Sequence, residues 1–332
     1  MRRLIGMLLG CVTFSISAVF IHNAFLLNDY RATASDQKVE ILIEPGDSGT
    51  EIAQKLYKSG VIKASKVFYK IAINEKRSKS ISPGVHEIDL KISSRAAFEQ
   101  LLDGKRNRGL FGFKEGLRKN EILDLLSKSN LVEGALSKNI NPDKKYNTSN
   151  LEGFLFPAQY AFIPGLSMDD AVQQMVDRFN LAAKASKIDQ GYSGFTPYEL
   201  LTIASMLQAE GDDQDFSKIA RVIYNRLKIG MPLQINATID YAMNLRGKIR
   251  LPYKLLEIKS PYNTYRYRGL PPGPIGNPGQ AALEAAVNPA NGQWLYYVTV
   301  KPSDTRFTKS YDEFLVWVSE FKKNEKAGLF ND

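Results

Sequence analysis

The sequence predicts an α+β protein with three parts, namely an N-terminal transmembrane helix, a small domain and a larger mixed α/β domain. An uncharged apolar run opens the chain over residues 4–27. Beyond it, short segments that alternate like strands occur among longer segments with helical periodicity. The length of 332 residues exceeds the roughly 100–200 residues of one domain, which favours two folded units after the apolar run.

The apolar run is longer than the roughly 20 residues that cross a bilayer. Arg2 and Arg3 precede it, and few basic residues follow it. By the positive-inside tendency, residues 1–3 form a cytoplasmic tip, residues 4–27 a transmembrane helix, and the rest of the chain lies outside the cytoplasm. A cleaved signal peptide is the alternative, but the run exceeds the usual roughly 7–15 apolar residues and no small-x-small site closes it. Residues 28–38 are small and polar, as expected of a linker.

Charge and cysteine content restrict the classes of partner. The formal net charge of +9 falls to +7 once Arg2 and Arg3 are assigned to the inner side, because 42 Lys and Arg then stand against 35 Asp and Glu. Basic residues are interspersed with acids, with no long basic block. Because the chain is predicted to be exported, we expect no nucleic acid partner. The excess indicates attraction to anionic lipid or an acidic polymer, or simply a solvated surface. Cys11, the only cysteine, lies in the apolar run, so we expect no disulfide, no cysteine metal site and no cofactor in the exported part.

Residues 39–140 are predicted to form the small domain and the α+β region that adjoins it. A strand, two helices and a second strand follow one another between residues 39 and 88. This order, with Pro-Gly-Asp-Ser at 45–48 and Ile-Ala-x-x-Leu at 52–56, resembles the LysM type of glycan-binding module. The resemblance implies either glycan binding or a spacer domain that positions its neighbour. A helix over 93–104, a strand over 110–113 and a helix over 119–127 follow.

The larger domain is predicted over residues 150–325, after a polar segment at 138–148 that contains Asn141-Pro142. Residues 269–279 hold so many Pro and Gly residues that they predict a rigid, ordered loop. The predicted helices cover 168–184, 197–210, 215–230, 280–287 and 310–322, and a strand is predicted over 294–300.

One carboxylate of the larger domain has an unusual position. Thr196, Pro197 and Glu199 form a capping box with Pro at the first helical position, which predicts a helix that Gly211 ends in a left-handed conformation. Glu210 then lies in the last turn, where the helix dipole opposes a negative charge by roughly 0.3–1 kcal/mol. A larger rise of its pKa requires burial, with like charge from neighbouring acids as a further cause. The alternative is a solvated helix end. The acids that follow are Asp212, Asp213 and Asp215.

Two further stretches are typical of sugar-binding clefts. Gln234, Asn236 and Thr238 alternate along the segment 231–241, so in an extended chain they would share one face and offer hydrogen bonds to sugar hydroxyls. The stretch 151–160 is rich in aromatic residues, which line sugar clefts but pack in cores more often.

Several segments resemble the motifs of the YceG-like family of membrane-anchored endolytic murein transglycosylases, and the resemblance covers residues 39–325. It implies an enzyme that cleaves β-1,4 bonds between MurNAc and GlcNAc in nascent peptidoglycan strands and leaves 1,6-anhydro-MurNAc ends. It also implies a single-pass location in the bacterial inner membrane and contact with the cell-wall synthesis machinery. The matching segments are Leu151–Pro157, Ala204–Glu210, Tyr224–Leu227 with Gly230–Gln234, Ser260–Tyr265, and Gly269–Ile275 with Asn277–Gly279.

The resemblance also implies the roles of individual residues. Glu210 occupies the position of the motif glutamate and is the implied catalytic acid. No metal ligands are implied. Substrate contacts are implied for Glu152, Asn225, Gln234, Asn236, Thr238, Tyr262, Asn263, Thr264 and Tyr265.

This chain departs from the family's pattern at four positions. Gln208 replaces the first acid of the usual Glu-x-Glu, Asn236 and Ala158 each replace an Asp, and Arg306 replaces a His. One alternative is therefore a catalytically weak or inactive wall-binding paralogue that acts as a membrane-anchored scaffold.

A hydrolytic muramidase is a second alternative. Such an enzyme needs another carboxylate at a distance of roughly 5–9.5 Å from the acid, whereas the transglycosylase reaction needs only one carboxyl group. Asp240, Glu152 and Glu257 are the available carboxylates.

Overall fold

The computed structural model describes residues 29–138, 140–246 and 252–330. Within these residues, ten α-helices and six strands form an α+β fold, as predicted. The chain divides into two compact units. The first comprises residues up to Phe111 together with Gln159–Leu166, and the second comprises Gly112–Ala158 together with the residues from Ser167 onward.

The transmembrane helix predicted over residues 4–27 lies outside the described residues. In the part of the chain that the structure describes, no helix combines the length and the apolar character needed to cross a membrane.

The first unit opens with the predicted order of strand, helix, helix and strand. These elements are β1 (Lys38–Ile43), α1 (Gly49–Lys58), α2 (Ser65–Asn74) and β2 (Gly84–Asp89). β1 and β2 pair antiparallel, with Ile41 opposite His86. α3 (Ser94–Leu102) follows, and its Phe98 packs with Phe68 of α2 in the apolar core.

The residues predicted as a linker are hydrogen-bonded to this unit. The Asp29 carboxylate accepts a hydrogen bond from the Ser94 N–H at 2.9 Å and another from the Ser94 hydroxyl at 3.0 Å. The Ala32 carbonyl accepts from the Ser93 N–H at 2.7 Å. The segment 29–37 is therefore attached at the N-terminal end of α3.

A segment from later in the chain completes the first unit. β3 (Leu110–Gly112) and β4 (Gln159–Ala161) form a two-stranded sheet, and the Phe162 N–H donates to the Gly109 carbonyl at 2.8 Å. The units therefore alternate along the chain, whereas the predicted regions 39–140 and 150–325 follow one another. The pairing joins residues far apart in sequence, so no local pattern marks it.

The second unit is organised around a helix that is buried along most of its length. The helices of this unit are α4 (Lys119–Lys128), α5 (Met168–Ser186), α6 (Pro197–Glu210), α7 (Phe216–Lys228), α8 (Asn236–Ala242) and α9 (Gln280–Val287), followed by one more described below. The buried helix is α6, in which residues Leu200–Leu207 are all buried and which packs against α7, α8 and α9. Its N-terminus has the predicted capping box, in which the Thr196 hydroxyl accepts from the Glu199 N–H and the Glu199 carboxylate accepts from the Thr196 N–H.

The aromatic stretch at 151–156 belongs to the core of the second unit. Phe154 is fully buried, and its ring meets those of Tyr146 and Phe179 edge to face at centroid distances of 5.0 and 4.9 Å. Packing therefore accounts for this aromatic residue.

A hairpin and a helix end the second unit. β5 (Tyr296–Lys301) pairs antiparallel with β6 (Asp304–Thr308), and α10 (Tyr311–Lys326) packs against β5.

Two local predictions near α6 are wrong. The segment 231–241 is not extended throughout, because α8 begins at Asn236 after Gln234 adopts a left-handed backbone with φ of 54°. Gly211 ends α6 with φ of −154°, which is extended and not left-handed. A Cβ at this position would lie 2.5 Å from Cδ1 of the buried Ile219, so the end of that side chain would have to shift.

The capping box of α6 yields a test of the fold. We expect Thr196→Ala to lower the free energy of unfolding by about 1 kcal/mol, because the Glu199 N–H loses its acceptor. Thr196→Ser keeps a hydroxyl at the same place and should stay close to wild type. Urea denaturation of the three proteins measures the difference. Equal losses for both variants would show that the hydroxyl does not cap the helix.

Candidate active site

Glu210 ends α6 with its carboxylate held by two other elements of the second unit. The Ala237 N–H, in the first turn of α8, donates to Glu210 Oε1 at 3.3 Å. The Tyr297 hydroxyl, on β5, donates to Glu210 Oε2 at 2.8 Å. Both carboxylate oxygens are therefore oriented by donors that come from separate parts of the chain.

The surroundings of Glu210 favour its protonated form. Burial raises the pKa of the Glu210 carboxyl above its ordinary value, and the negative charge of Asp240 on α8 adds to the rise. The hydrogen bonds from Tyr297 and Ala237 and the charge of Arg226 oppose it without reversing it. The negative charge that raises the Glu210 pKa thus belongs to Asp240, and not to Asp212, Asp213 or Asp215 as predicted from the sequence.

Tyr297 and Arg226 are site residues that the sequence analysis did not select. Burial and the nearby Glu210 raise the pKa of the Tyr297 hydroxyl well above its ordinary value, so Tyr297 stays a hydrogen-bond donor. Arg226 on α7 is 7% exposed, and its guanidinium donates to the carbonyls of Leu295 and Leu233, each at 2.7 Å. A cation on the otherwise apolar face of α7 was the signal that could have identified Arg226.

Asn236 and Tyr265 meet beside Glu210. The Tyr265 hydroxyl donates to Asn236 Oδ1 at 2.5 Å. Burial, assisted by the charge of Glu210, raises the pKa of Tyr265 to about 12. The structure thus brings together two of the implied contact residues, Asn236 on α8 and Tyr265 in the 260–265 loop.

Thr238 of α8 and Thr264 of the 260–265 loop contact each other in the protein interior. Their hydroxyls are 3.0 Å apart, and both residues are buried. The Thr264 hydroxyl accepts from the Ile235 N–H at 2.9 Å, and the Thr264 carbonyl accepts from the Gln234 N–H at 3.1 Å. These threonines position backbone, while the Gln234 side chain is exposed.

Two of the predicted contact residues use their amides within the protein. Asn263 is buried, and its Nδ2 donates to the carbonyls of Leu256 and Ile258, each at 2.9 Å. Asn225 Nδ2 donates to the Trp294 carbonyl at 2.9 Å, which ties α7 to the start of the hairpin. Both side chains therefore stabilise loops.

Glu152 is also engaged inside the protein. It is 4% exposed and accepts hydrogen bonds from the Lys119 N–H at 2.9 Å, Asn277 Nδ2 at 3.2 Å and the Tyr241 hydroxyl at 3.1 Å. Burial raises the pKa of Glu152 in spite of these donors. Tyr262 packs against Tyr241 with ring centroids 4.9 Å apart and an interplanar angle of 48°, so it lies beside this group.

A cleft of about 470 Å³ in the second unit adjoins the Glu210 site. Ala237, which binds Glu210, and Asp240 form part of its wall, so the acid and the cleft share α8. Half of the twelve residues that line it have charged or amide side chains, which can form hydrogen bonds with a hydroxyl-rich ligand. Its charged and amide side chains are Lys114, Glu115, Arg118, Gln208, Asp240 and Arg246.

Gln208, the residue that replaces the usual first acid, links two walls of this cleft. Its Oε1 accepts from the Gly279 N–H at 2.9 Å, and its side chain lies beside the Glu115 carboxylate, where it opposes the rise of the Glu115 pKa. Glu115 lies so close to Gly279 that a Cβ there would overlap its carboxylate. Burial, followed by the charge of Asp213, raises the pKa of Glu115. This part of the cleft therefore still contains a carboxylate, which belongs to Glu115 and not to residue 208.

Among residues 29–138, 140–246 and 252–330, no group of three or more His, Cys, Asp or Glu side chains could hold a metal ion.

The Gln208–Glu115 pair can be tested by exchanging its members. Gln208→Glu would place two carboxylates in contact, so we expect a loss of about 1–3 kcal/mol in the free energy of unfolding at pH 7. The added Glu115→Gln change should restore most of it. Urea denaturation of the four proteins of this double-mutant cycle measures the coupling. Additive effects of the two substitutions would contradict the direct contact.

The raised pKa of Glu210 predicts a pH-dependent stability difference. The folded state favours the neutral acid, so its contribution is fully present below the unfolded value of 4.5 and is lost as the pH rises through the folded pKa. Glu210→Gln mimics the neutral acid and should be more stable than wild type at pH 7–8, by about 1.4 kcal/mol for every unit of the rise. The difference should vanish below about pH 4.5.

Thermal unfolding between pH 4 and 8 measures this difference. Glu257→Gln is the matched control, because Glu257 is an exposed carboxylate of the same unit. A Glu210→Gln variant that parallels the control at every pH would contradict the sheltered carboxyl group.

Comparison with known proteins identifies the family of this chain. The YceG-like family model matches residues 41–320. The endolytic murein transglycosylase of Bacillus subtilis is 32% identical over 339 aligned residues, which cover 94% of this chain and 92% of that protein. The endolytic murein transglycosylase of Streptococcus pneumoniae is 38% identical over 161 residues, 45% of this chain and 28% of that protein.

A solved structure of a yceG-like protein is also similar to this chain. The 2.6 Å crystal structure of a yceG-like protein from Listeria monocytogenes matches with a TM-score of 0.56 and 26% identity, covering 84% of this chain and 98% of that one. The family model alone spans most of the chain. The protein therefore belongs to the YceG-like family.

Proposed function

We propose that this protein is an endolytic peptidoglycan lytic transglycosylase with Glu210 as its catalytic acid. The observation that carries the proposal is the Glu210 carboxyl, whose pKa is raised by burial and by the charge of Asp240, and which adjoins a cleft partly lined by charged and amide side chains. Membership of the YceG-like family and relatives named endolytic murein transglycosylases support the reaction class. The bonds cleaved are the β-1,4 bonds between MurNAc and GlcNAc of nascent strands.

The reaction uses one carboxyl group twice. Protonated Glu210 donates its proton to the glycosidic oxygen as the bond from that oxygen to MurNAc C1 breaks. The resulting carboxylate then takes the proton from the MurNAc C6 hydroxyl as that oxygen bonds to C1. No water is consumed, and the product ends in 1,6-anhydro-MurNAc.

The donors around Glu210 fit both halves of this cycle. The Ala237 N–H and the Tyr297 hydroxyl stabilise the carboxylate once the proton has left. Burial and Asp240 favour the return of the proton. The same group can therefore act first as acid and then as base.

A hydrolytic muramidase is the second candidate, and the charge of Asp240 near Glu210 is the observation that favours it. Glu152 does not suit the role of second carboxylate, because three internal donors occupy it. Glu257 is exposed and gives no sign of a catalytic environment. Asp240 is thus the carboxylate on which hydrolysis would depend.

We also propose that residues 4–27 anchor the enzyme in the bacterial inner membrane with its folded units outside the cytoplasm. The length of the apolar run and the preceding arginines support this location. Contact with the cell-wall synthesis machinery is part of the same proposal, since such an anchor would place the enzyme where nascent strands emerge.

The proposed reaction predicts the effects of two substitutions. Glu210→Gln should lower the cleavage of purified sacculi by at least about a thousandfold without unfolding the protein, whereas Glu257→Gln should retain activity. Asp240→Asn should still release anhydro ends, with the alkaline limit of activity moved to lower pH because Glu210 loses a neighbouring negative charge.

Mass spectrometry of the released fragments measures the outcome. Reducing MurNAc ends that disappear in Asp240→Asn would favour the muramidase. Undiminished cleavage by Glu210→Gln would exclude Glu210 as the acid. Binding to sacculi without any released fragment would favour the wall-binding scaffold.

A further inference from the structure

The second unit has another groove, of about 890 Å³, whose lining shares no described residue with the cleft beside Glu210. One face of α7 forms part of its wall, and we call it the α7 groove. Arg226, which contributes to the environment of Glu210, lies roughly 200° around the helix from Tyr224 of this face. The residues of the face recur at the spacing i, i+3, i+4 and i+7 and are Arg221, Tyr224, Asn225 and Lys228.

A tight turn supplies two aromatic rings to the α7 groove. The Phe195 N–H donates to the Tyr192 carbonyl at 2.9 Å, and the Tyr192 N–H donates to the Phe195 carbonyl at 3.2 Å. The central residues Ser193 and Gly194 have φ of 52° and 86°, the positive values that a type I′ turn requires. Both rings meet the ring of Tyr224 edge to face, at centroid distances of 6.1 and 5.2 Å. The turn thus holds an aromatic surface in a fixed conformation.

The proline-rich loop that the sequence predicts to be rigid forms another wall of the α7 groove, through residues 269–272. Within this stretch Pro271 is buried, so the loop is attached to the body of the unit. A rigid wall loses little conformational freedom when a ligand binds. The groove is therefore preorganised on two sides.

The aromatic surface is only partly covered by the protein. Tyr192 is 39% exposed, whereas Tyr224 beside it is 8% exposed and donates its hydroxyl to the Ala286 carbonyl at 2.6 Å. A ring that is held in place and left uncovered can stack against the C–H face of a sugar, while polar groups around it bind the sugar hydroxyls. The α7 groove thus combines the two kinds of contact that a saccharide needs.

Two cations line the same groove. The Arg221 guanidinium donates to the Ala290 carbonyl, Lys228 is exposed, and within the described residues neither forms an ion pair. Glu199 supplies a carboxylate, which accepts from the Thr196 N–H and hydroxyl at the start of α6. Two cations minus one carboxylate leave +1 along the lining. This excess suits a saccharide that carries a carboxylate.

Helix α6 relates the α7 groove to the proposed acid. Glu199 lines the groove, and Glu210 lies eleven residues further along α6, so roughly 16 Å of helix axis separates them. A strand that is cut in its interior continues beyond the cleft on both sides of the broken bond. Several sugar rings can span such a separation, so a long strand could reach the cleft and the groove together.

We infer that the α7 groove is a second saccharide-binding site, which takes a segment of the peptidoglycan strand away from the bond that is cleaved. A sugar ring stacks on Tyr192, and Lys228 binds a carboxylate of a stem peptide. The inference rests on the proposed function for the identity of the strand and deepens it, because such a site favours long strands over short fragments.

The first test compares soluble uncrosslinked glycan strands that keep their stem peptides with tetrasaccharide fragments. We expect Tyr192→Ala to raise KM for the long strands roughly tenfold, as the loss of one well-packed aromatic contact does. Its kcat should not change, because the contact is the same before and during the reaction. Its KM for the fragments should not change either, because a fragment in the cleft leaves little chain to reach the groove.

Two variants control this measurement. Tyr192→Phe keeps the ring and should stay close to wild type. Tyr311→Ala removes an exposed tyrosine of the same unit outside the groove and should leave both KM values unchanged. An unchanged KM of Tyr192→Ala for long strands would overturn the inference, and so would an equal rise for the fragments or a fall in kcat with both substrates.

The second test concerns the carboxylate. In the Glu210→Gln protein, the added Lys228→Gln change should weaken the binding of peptide-bearing strands about two- to fivefold, as expected for an exposed ion pair. The binding of neutral chitooligosaccharides should not change. Lys184→Gln is the control, because Lys184 is exposed on α5 outside the groove lining. Equal losses for both ligands would overturn the contact between Lys228 and a carboxylate.

A measurement that needs no cleavage keeps the two proposals apart. Acetylation of Lys228, read by mass spectrometry, should slow when peptide-bearing strands are added, while acetylation of Lys184 should not. Protection of Lys228 in a wild-type protein that cleaves no sacculi would support the groove and overturn the proposed reaction. Cleavage without protection of Lys228 would overturn the groove alone.

Discussion

The hydrogen bonds from Ala237 and Tyr297 to Glu210 join three elements that lie far apart in the sequence. α6 supplies the carboxylate, α8 supplies a backbone donor and β5 supplies a hydroxyl. Each donor must be in place for the carboxylate to be both sheltered and oriented. Contacts within the second unit hold these three elements in place. α6 contacts α8 directly, and Arg226 of α7 forms hydrogen bonds both to the residue before β5 and to the loop before α8.

Burial of α6 gives the site its rigidity. A helix enclosed from Leu200 to Leu207 cannot rotate or slide without disturbing tightly packed neighbours on several sides. Gly211 then leaves the helix at a point where a Cβ would require the end of the Ile219 side chain to shift. The acid is therefore placed by packing and not by the helix dipole, whose contribution of roughly 0.3–1 kcal/mol is small beside the cost of burying a carboxylate.

The parts of this arrangement that depend on local chemistry could be predicted from the sequence. The capping box at Thr196 gives the start of α6, and the helix over 280–287 was predicted with its observed limits. The start of α8 could not be predicted, because alternating polar and apolar residues at 231–241 suit a strand as well as a short helix and the left-handed backbone of Gln234 carries no local signal. Tyr297 was read only as a strand residue, since its contact with Glu210 spans 87 positions.

The polar residues around the cleft are of two kinds, according to whether their hydrogen-bonding groups are already used within the protein. Asn263 and Glu152 spend their donors or acceptors on the protein itself, so binding a sugar hydroxyl would require breaking buried bonds at a cost of about 1–3 kcal/mol each. Such residues can belong to a sequence motif because they stabilise the fold, without contacting the substrate. Gln208 belongs to the same kind, because its amide oxygen accepts from the Gly279 N–H and its side chain lies beside Glu115. The loss of the motif's first acid therefore changes which residue carries a charge in the cleft, while Glu210 keeps the two donors that its chemistry requires.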